Sequence, residues 1–198
     1  MNNESLTVSL ILASTSKYRK LLLQRLGLPF DCVAPDTDET PGAGESPLSL
    51  VTRLATQKAR SVADKNPTAV VIGSDQLAVL DGQIMGKPGG YQAALKQLSS
   101  CSGQSVEFLT AVSVQCRESG FCEQYTDVTR VCFRKLDIEE IESYLEREKP
   151  YDCAGSFKSE SLGVVLFDRI INEDPSALIG LPLIRTAAIL RRAGFKLP

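Results

Sequence analysis

The residues best suited to chemistry lie where an apolar run meets a helical pattern near the start of the chain. The apolar run 8–13 is followed by three hydroxyl residues, 14–16, and then by the cations Lys17, Arg19 and Lys20. Cations are unusual there, because the positive end of a helix dipole prefers anions. Hydroxyls, free backbone N–H groups and cations at a helix start favour a bound phosphate. A serine cap with solvated basic side chains is the alternative that this spacing allows.

Two sources of carboxylate could supply a general base or hold a metal ion. Asp75 follows the apolar run Ala69–Ile72, and ligands gather beyond strand ends in open sheets. Glu39 lies with Asp36 and Asp38 in a loop rich in turn-forming residues. Such carboxylates suit a hard cation that holds phosphate. An aspartate that caps a turn and a solvated acidic loop are the plain structural alternatives.

The chain contains no histidine, which restricts the possible chemistry more than any other feature of its composition. Ser–His triads, Cys–His dyads and histidine metal sites are excluded, so a general base must be Asp, Glu, Lys, Tyr or Cys. A metal site would be ligated by oxygen and would suit Mg²⁺ or Mn²⁺. The six cysteines form no C-x-x-C pair, and we expect thiols rather than disulfides.

Further polar residues stand isolated along the chain. Lys58 lies on or beside the apolar stripe of a helix predicted from Pro47, and Lys87 lies between Gly86 and Pro88. Each of these lysines alone is typical of an exposed or snorkelling side chain. Lys158 and Glu160 lie in a polar loop that a glycine closes, which by itself indicates only a surface connection.

Length and charge limit the class of protein. The 198 residues, 43% apolar and 23% charged, predict one globular domain over residues 1–198. A net charge of −2 gives no electrostatic reason to bind a nucleic acid polymer or an anionic membrane. No apolar run approaches the ~20 residues of a membrane helix, and no signal peptide is visible. We therefore expect a cytoplasmic protein.

The apolar patterns predict an α/β fold in which a mixed, twisted sheet is flanked by helices. Strands are predicted at residues 8–13, 30–34, 69–72, 77–80, 83–85, 106–116, 124–133 and 164–171. Helices are predicted to begin near residues 17, 47, 91, 137 and 182. Hairpins in the middle of the chain argue against a purely parallel sheet. Dinucleotide and P-loop fingerprints do not occur.

Seven short segments, in this order, resemble the Maf family of nucleotide pyrophosphatases: LASTSKYRKLLL, DETP, RLATQKA, IGSDQ, GKP, CAGSFKSESLG and ALIGLPL. The resemblance runs from Leu10 to about Arg191. It implies a mixed-sheet α/β fold related to inosine-triphosphate pyrophosphatases, with nucleotide bound in a cleft across the sheet. It further implies hydrolysis of a nucleoside triphosphate to its monophosphate and pyrophosphate with a divalent cation, commonly by a homodimer.

The resemblance also implies roles for individual residues. By position, phosphate contacts fall on Ser14, Arg19, Lys20, Lys58 and Lys87. Asp75 occupies the position of the family's proton acceptor. Glu39 occupies an acidic position that the family associates with metal binding and catalysis. Both carboxylates are expected to bind the divalent cation, Mg²⁺ or Mn²⁺.

Three positions concern the base of the nucleotide. Tyr18, Gln76 and Glu160 replace the arginine, threonine and glutamine of the branch that acts on dTTP and UTP. They resemble the branch that hydrolyses 7-methyl-GTP, although that branch has tryptophan where this chain has Tyr18. N7-methylated guanine is cationic and gains ~0.5–2 kcal/mol over an aromatic face. The Glu160 carboxylate can accept hydrogen bonds from the guanine N1–H and amino group, a pair that uracil lacks.

Three alternatives stay open at this level. The protein could be a pyrophosphatase of the dTTP and UTP type, or a nucleotide-binding regulator of septum formation with little catalysis. It could also be a phosphatase that releases orthophosphate, since the same cations would serve. The presence of both Asp75 and Glu39 favours an enzyme.

Overall fold

The computed structural model describes residues 9–198. Its strands are β1 (Leu10–Ala13), β2 (Asp31–Val33), β3 (Val70–Leu80), β4 (Gln83–Met85), β5 (Ser105–Cys116), β6 (Phe121–Phe133) and β7 (Phe167–Ile171). Its α-helices are α1 (Lys17–Gln24), α2 (Pro47–Ala63), α3 (Tyr91–Cys101), α4 (Ile138–Glu148) and α5 (Leu183–Arg192). Short 3₁₀ turns cover Ala154–Ser156, Leu162–Leu166 and Ala177–Ile179.

The strands form one mixed sheet in the order β2-β1-β3-β5-β6-β7, with β4 paired to β3. β1 runs parallel to both β2 and β3, whereas every other pairing is antiparallel. Apolar clusters cover both faces of this sheet beneath the helices. The predicted α/β class with a mixed, helix-flanked sheet is confirmed.

β3 is longer than the sequence pattern indicates. The predicted strand 69–72 and the first arm of the predicted hairpin, 77–80, are parts of one strand of 11 residues. Asp75 therefore lies inside a strand and not beyond its end. Polar residues fit inside β3 because β5 supplies hydrogen bonds along its whole length, with Asp75 opposite Ala111.

The other edge of β3 is paired only at its two ends. β1 ends where Ala13 faces Gly73, and β4 begins to pair only at Ala78. Residues 74–77 therefore have no strand beside them on this edge. The resulting gap in the sheet opens the space in which the candidate site lies.

Two predicted strands differ in detail. The strand expected over 164–171 begins at Phe167, because residues 162–166 form a 3₁₀ turn instead. The strand expected over 30–34 covers only Asp31–Val33, in which Cys32 is exposed and Val33 packs inward. β2 is an edge strand with little cover, so periodicity was a weak guide to its inner face. The predicted first strand began at Val8, which lies outside the described residues.

α2 packs unusually closely on β3. A Cβ atom added at Gly73 would lie 2.3 Å from the carbonyl oxygen of Ala55 and 2.4 Å from the amide nitrogen of Ala59. Glycine thus allows the helix backbone to approach the strand, which carries Lys58 next to Asp75. This contact links the fold directly to the site.

Two further observations concern the described residues as a whole. The six cysteines are all unpaired, as predicted, with Cys101 and Cys116 buried and Cys32 and Cys122 exposed. Within residues 9–198, no helix is both long enough and apolar enough to cross a membrane.

Candidate active site

A cavity of about 850 Å³ occupies the gap beside β3. Its walls come from the start of α1, the acidic loop, α2, the middle of β3, the β4–α3 loop and residues within 152–160 and 178–180. Cavities of this size accommodate small ligands. Every site residue assigned from the sequence lines this cavity except Lys20, which is exposed and outside the lining.

Lys58 joins the two predicted carboxylates. Its Nζ lies 2.7 Å from Asp75 Oδ1 and 2.5 Å from Glu39 Oε1. Lys58 and Asp75 are buried, with side chains 8% and 10% exposed, whereas Glu39 is 62% exposed. The hydrogen bond from Lys58 lowers the pKa of Glu39 against the opposing effect of partial burial. The ammonium thus holds both carboxylates at one point and has a third N–H for another acceptor.

Besides the oxygen atoms that contact Lys58, each of the two carboxylates has a second oxygen atom that could bind a divalent cation beside the ammonium. Oxygen is the donor that Mg²⁺ and Mn²⁺ prefer. Over residues 9–198 no group of three or more His, Cys, Asp or Glu side chains is arranged around a metal position. A cation at Glu39 and Asp75 would therefore need phosphate and water oxygens to complete its coordination.

The hydroxyl residues before α1 organise its first turn. Ser16 is the helix cap, since its side chain accepts a hydrogen bond from the Arg19 N–H at 3.4 Å. Ser14 Oγ accepts from the Ser16 N–H at 3.1 Å and faces the cavity. The first turn contains no acidic residue. The acidic partner of Lys17, Asp152, therefore comes from outside this helix.

Arg19 is positioned by a turn far away in the chain. Its Nε donates to the Gly180 carbonyl at 3.0 Å, and the Ser74 hydroxyl donates to the same oxygen at 3.0 Å. Burial lowers the pKa of Arg19, whereas the charges of Asp75 and Glu39 raise it. Among the described residues its terminal guanidinium nitrogens have no hydrogen-bond partner, so they remain available to an anion.

Tyr18 belongs to a small polar cluster at another part of the cavity. Its hydroxyl donates to Asp152 Oδ2 at 3.3 Å and accepts from Cys153 Sγ at 3.7 Å. Lys17 Nζ lies 3.4 Å from Asp152 Oδ2 and 4.9 Å from the centroid of the Tyr18 ring. The ring thus already accepts a cation. Burial raises the pKa of both Tyr18 and Cys153.

Gln76 has a fixed orientation. Its Nε2 donates to Thr110 Oγ1 at 3.0 Å and to the carbonyl oxygens of Ala177 and Leu178 at 2.9 and 3.0 Å. Carbonyl oxygens can only accept, so the amide nitrogen must point to them. The Oε1 atom has no partner in the described part of the chain and is the atom left to accept from a ligand.

Glu160 and Lys87 complete the lining, and both are exposed. The charge of Lys87 contributes to the lowered pKa of Glu39, which places the two groups in the same electrostatic environment. Sequence reasoning missed Asp152, Cys153 and the carbonyl of Gly180, and it did not predict that Lys17 pairs with Asp152. Only the tertiary contact between α1 and two distant loops brings these groups together.

Cations, carboxylates and hydrogen-bond acceptors line one cleft, a set of groups that is chemically suited to a phosphorylated small molecule with a donor-bearing ring. The chain belongs to the family described as Maf-like protein, whose model matches residues 9–193. The resemblance inferred from the seven sequence segments is thereby confirmed.

The chain is similar over almost its whole length to proteins named 7-methyl-GTP pyrophosphatase. The protein of Albidiferax ferrireducens is 53% identical over 194 residues, covering 98% of each chain. That of Polaromonas sp. is 55% identical over 188 residues, covering 95% of this chain and 86% of the relative. That of Xanthomonas axonopodis pv. citri is 54% identical over 189 residues, covering 96% and 98%.

Proposed function

We propose that this protein is a nucleoside triphosphate pyrophosphatase that hydrolyses 7-methyl-GTP to 7-methyl-GMP and pyrophosphate. The names of its relatives and its membership of the family support this activity. The observation that carries the proposal is the shared cavity. Phosphate-type cations, a buried carboxylate and the base-type residues Tyr18, Gln76 and Glu160 all line it.

The triphosphate binds at the basic end of the cavity. The free guanidinium N–H groups of Arg19, the third N–H of Lys58 and the ammonium of Lys87 offset its negative charge. Ser14 supplies a hydroxyl in the same lining. Charged donors held in place before the reaction stabilise charge that develops on the leaving pyrophosphate without further reorganisation.

Asp75 is the general base. It accepts a proton from a water molecule whose oxygen attacks the α-phosphorus, and the bond from that phosphorus to the bridging oxygen breaks. Pyrophosphate leaves with the electron pair of that bond. Lys58, whose Nζ lies 2.7 Å from Asp75 Oδ1, orients the carboxylate towards the water molecule that it activates.

Glu39 and Asp75 would hold the divalent cation, Mg²⁺ or Mn²⁺, together with phosphate oxygens. When bound, the cation supplies Lewis-acid stabilisation of charge on the phosphate groups. Glu39 is exposed and lies on a loop, so it can adjust to the cation. Asp75 is buried in β3, which suits the fixed geometry needed for proton transfer.

The base of the nucleotide binds where Tyr18, Gln76 and Glu160 line the cavity. The Tyr18 ring receives the cationic 7-methylguanine, as it receives Lys17 in the structure. Gln76 Oε1 and the Glu160 carboxylate present only acceptors, which match the adjacent N1–H and amino donors of guanine. Discrimination then arises from stacking and hydrogen bonding together.

We further propose that the enzyme acts as a homodimer in the cytoplasm, on free nucleotide and not on a nucleic acid polymer or at a membrane. The near-neutral net charge of −2 supports the last two points. Light scattering coupled to gel filtration tests the dimer directly. A monomer at all accessible concentrations would contradict it.

A substrate panel with product identification tests the proposed function. Initial rates on 7-methyl-GTP, GTP, dTTP and UTP are compared with Mg²⁺, with Mn²⁺ and with excess chelator, and the released anion is identified. We expect the highest kcat/KM on 7-methyl-GTP, pyrophosphate as the anion and no turnover with chelator. Preference for dTTP or UTP, release of orthophosphate, or binding without turnover would each favour one of the alternatives and contradict the proposal.

A further inference from the structure

Glu148, the last residue of α4, holds the loop that carries Glu160 at two points. Its Oε1 accepts a hydrogen bond from Lys158 Nζ at 3.0 Å, and its Oε2 accepts from the Leu162 backbone N–H at 3.1 Å. Lys158 Nζ also donates to the Glu148 carbonyl at 3.0 Å. One carboxylate thus fixes the residues two places before and two places after Glu160.

The partners of this carboxylate are largely shielded from water. The side chains of Glu148 and Lys158 are 14% and 20% exposed. Burial by itself would raise the pKa of Glu148, but hydrogen bonds from Ser161, Lys158 and the Leu162 N–H lower it. The carboxylate is therefore ionised at neutral pH. In that state both of its oxygens are acceptors, as the two contacts require.

A backbone hydrogen bond within the turn itself also holds its conformation. The Gly163 N–H donates to the Lys158 carbonyl at 3.1 Å, and a Cβ atom added at Gly163 would lie 2.3 Å from that oxygen. The Lys158 N–H donates to the hydroxyl of the buried Tyr144 at 3.1 Å, which ties the turn to α4 again. The backbone on both sides of Glu160 is therefore fixed.

Glu160 itself has no hydrogen bond or ion pair among residues 9–198 and is exposed. Its carboxylate reaches the cavity only because the backbone of residues 158–162 presents it there. We infer that Glu148 is a positioning residue for base recognition: it orders the turn before the nucleotide arrives. This inference rests on the proposed role of Glu160. Prior ordering removes an entropic cost from binding of the base and leaves the phosphate chemistry at Asp75 untouched.

Substitution of Glu148 by Gln tests this role, with Glu146→Gln on the exposed side of the same helix as the matched control. Gln keeps the size of Glu148 but turns one acceptor into an NH₂ group, which would face a donor of Lys158 or Leu162. We expect KM for 7-methyl-GTP to rise about five- to tenfold with kcat within about twofold. For Glu148→Gln, KM for dTTP should stay within about twofold of the wild-type value. For the control Glu146→Gln, kcat and KM on both substrates should stay within about twofold of the wild-type values.

A double-substitution cycle separates positioning from general damage. In a Glu160→Gln background, Glu148→Gln should add less than about twofold to KM, because the side chain that it positions is already altered. An undiminished effect in that background, or an equal loss on all substrates, would overturn the inference. If Glu148→Gln does not fold, Lys158→Met replaces it in the same cycle, since it removes one anchor and leaves the Leu162 contact.

The outcomes are distinct from those of the proposed function. If wild-type protein does not prefer 7-methyl-GTP, the proposed function fails whatever Glu148 does. If wild type prefers 7-methyl-GTP and Glu148→Gln keeps the full preference, only the positioning role fails.

Discussion

Lys58 determines how the two carboxylates of this site, Asp75 and Glu39, are arranged. Its ammonium faces Asp75 on one side and Glu39 on the other, so two like charges that would repel are held at one point. The two carboxylates differ in burial, because Asp75 lies within β3 and Glu39 on an exposed loop. Burial fixes the geometry of Asp75, whereas exposure lets Glu39 adapt. This difference agrees with the proposed roles, in which both carboxylates hold the cation and Asp75 alone is the general base.

Asp75→Asn should lower kcat by at least about 100-fold, because the amide cannot accept the proton from water. Asn Oδ1 can still accept from Lys58, so we expect the protein to fold and KM to change by less than about threefold. Asp81→Asn in the β3–β4 turn is the control. Asp81 has a φ of 49°, a conformation that Asn tolerates. Steady-state kinetics measure kcat and KM, and circular dichroism shows whether the variant is folded. Near-full turnover by a folded Asp75→Asn variant would show that Asp75 is not the base.

The acidic loop that bears Glu39 is attached to α2 by an ion pair. Arg53 Nε and Nη2 donate to the two oxygens of Glu45 at 2.7 and 2.8 Å, and Nη2 also donates to the Thr40 carbonyl at 3.1 Å. The hydrogen bonds from Arg53 and from the Gly42 N–H lower the pKa of Glu45 from 4.5 to about 2. The loop is therefore held in place by a charge that acid can remove.

This attachment predicts a pH-dependent stability difference between wild type and Glu45→Gln. A carboxyl group whose pKa is lowered in the folded state stabilises the protein at pH values above the pKa that the group has in the unfolded chain. That contribution is lost as the pH falls from 4.5 towards 2. In urea unfolding, the difference in free energy of unfolding between wild type and Glu45→Gln should therefore become smaller as the pH falls across this range. Glu118→Gln is the matched control, because Glu118 is exposed and has no ion pair among residues 9–198.

At the scale of the whole molecule, the site depends on how close the helix layer lies to the sheet. Gly73→Ala should lower the free energy of unfolding by about 1–3 kcal/mol, because the added methyl group meets the backbone of α2. Gly86→Ala, where a Cβ has no neighbour within 4 Å, should change it by less than about 0.5 kcal/mol. Urea unfolding measures both. Equal stability of Gly73→Ala and wild type would show that α2 can move away freely.

Much of the element structure could be predicted from local patterns. The apolar stripe of α2, the capped start of α4 at Asp137 and the Asp81-Gly82 turn were each evident from residue type and spacing. The continuous strand β3 could not be predicted, because Gly73 interrupts the apolar run and residues 74–76 are polar. Pairing with β5 along the whole strand outweighs the local preference of these residues.

The prediction that the start of α1 binds phosphate came from the sequence itself. A strand, three hydroxyls and three cations follow one another within 11 residues, and local backbone geometry is enough to bring them together. The absence of histidine likewise limits the chemistry through composition alone, whatever the fold. Both conclusions depend only on neighbours in the chain or on composition.

The tertiary structure alone decided which distant groups meet. Lys58 bridges Asp75 and Glu39 because Gly73 admits α2 to the sheet, and Gln76 presents oxygen because the 177–180 turn takes its nitrogen. Glu160 faces the cavity because Glu148 anchors its loop on both sides. Such contacts join residues far apart in sequence, and their geometry is set by packing that no local pattern records.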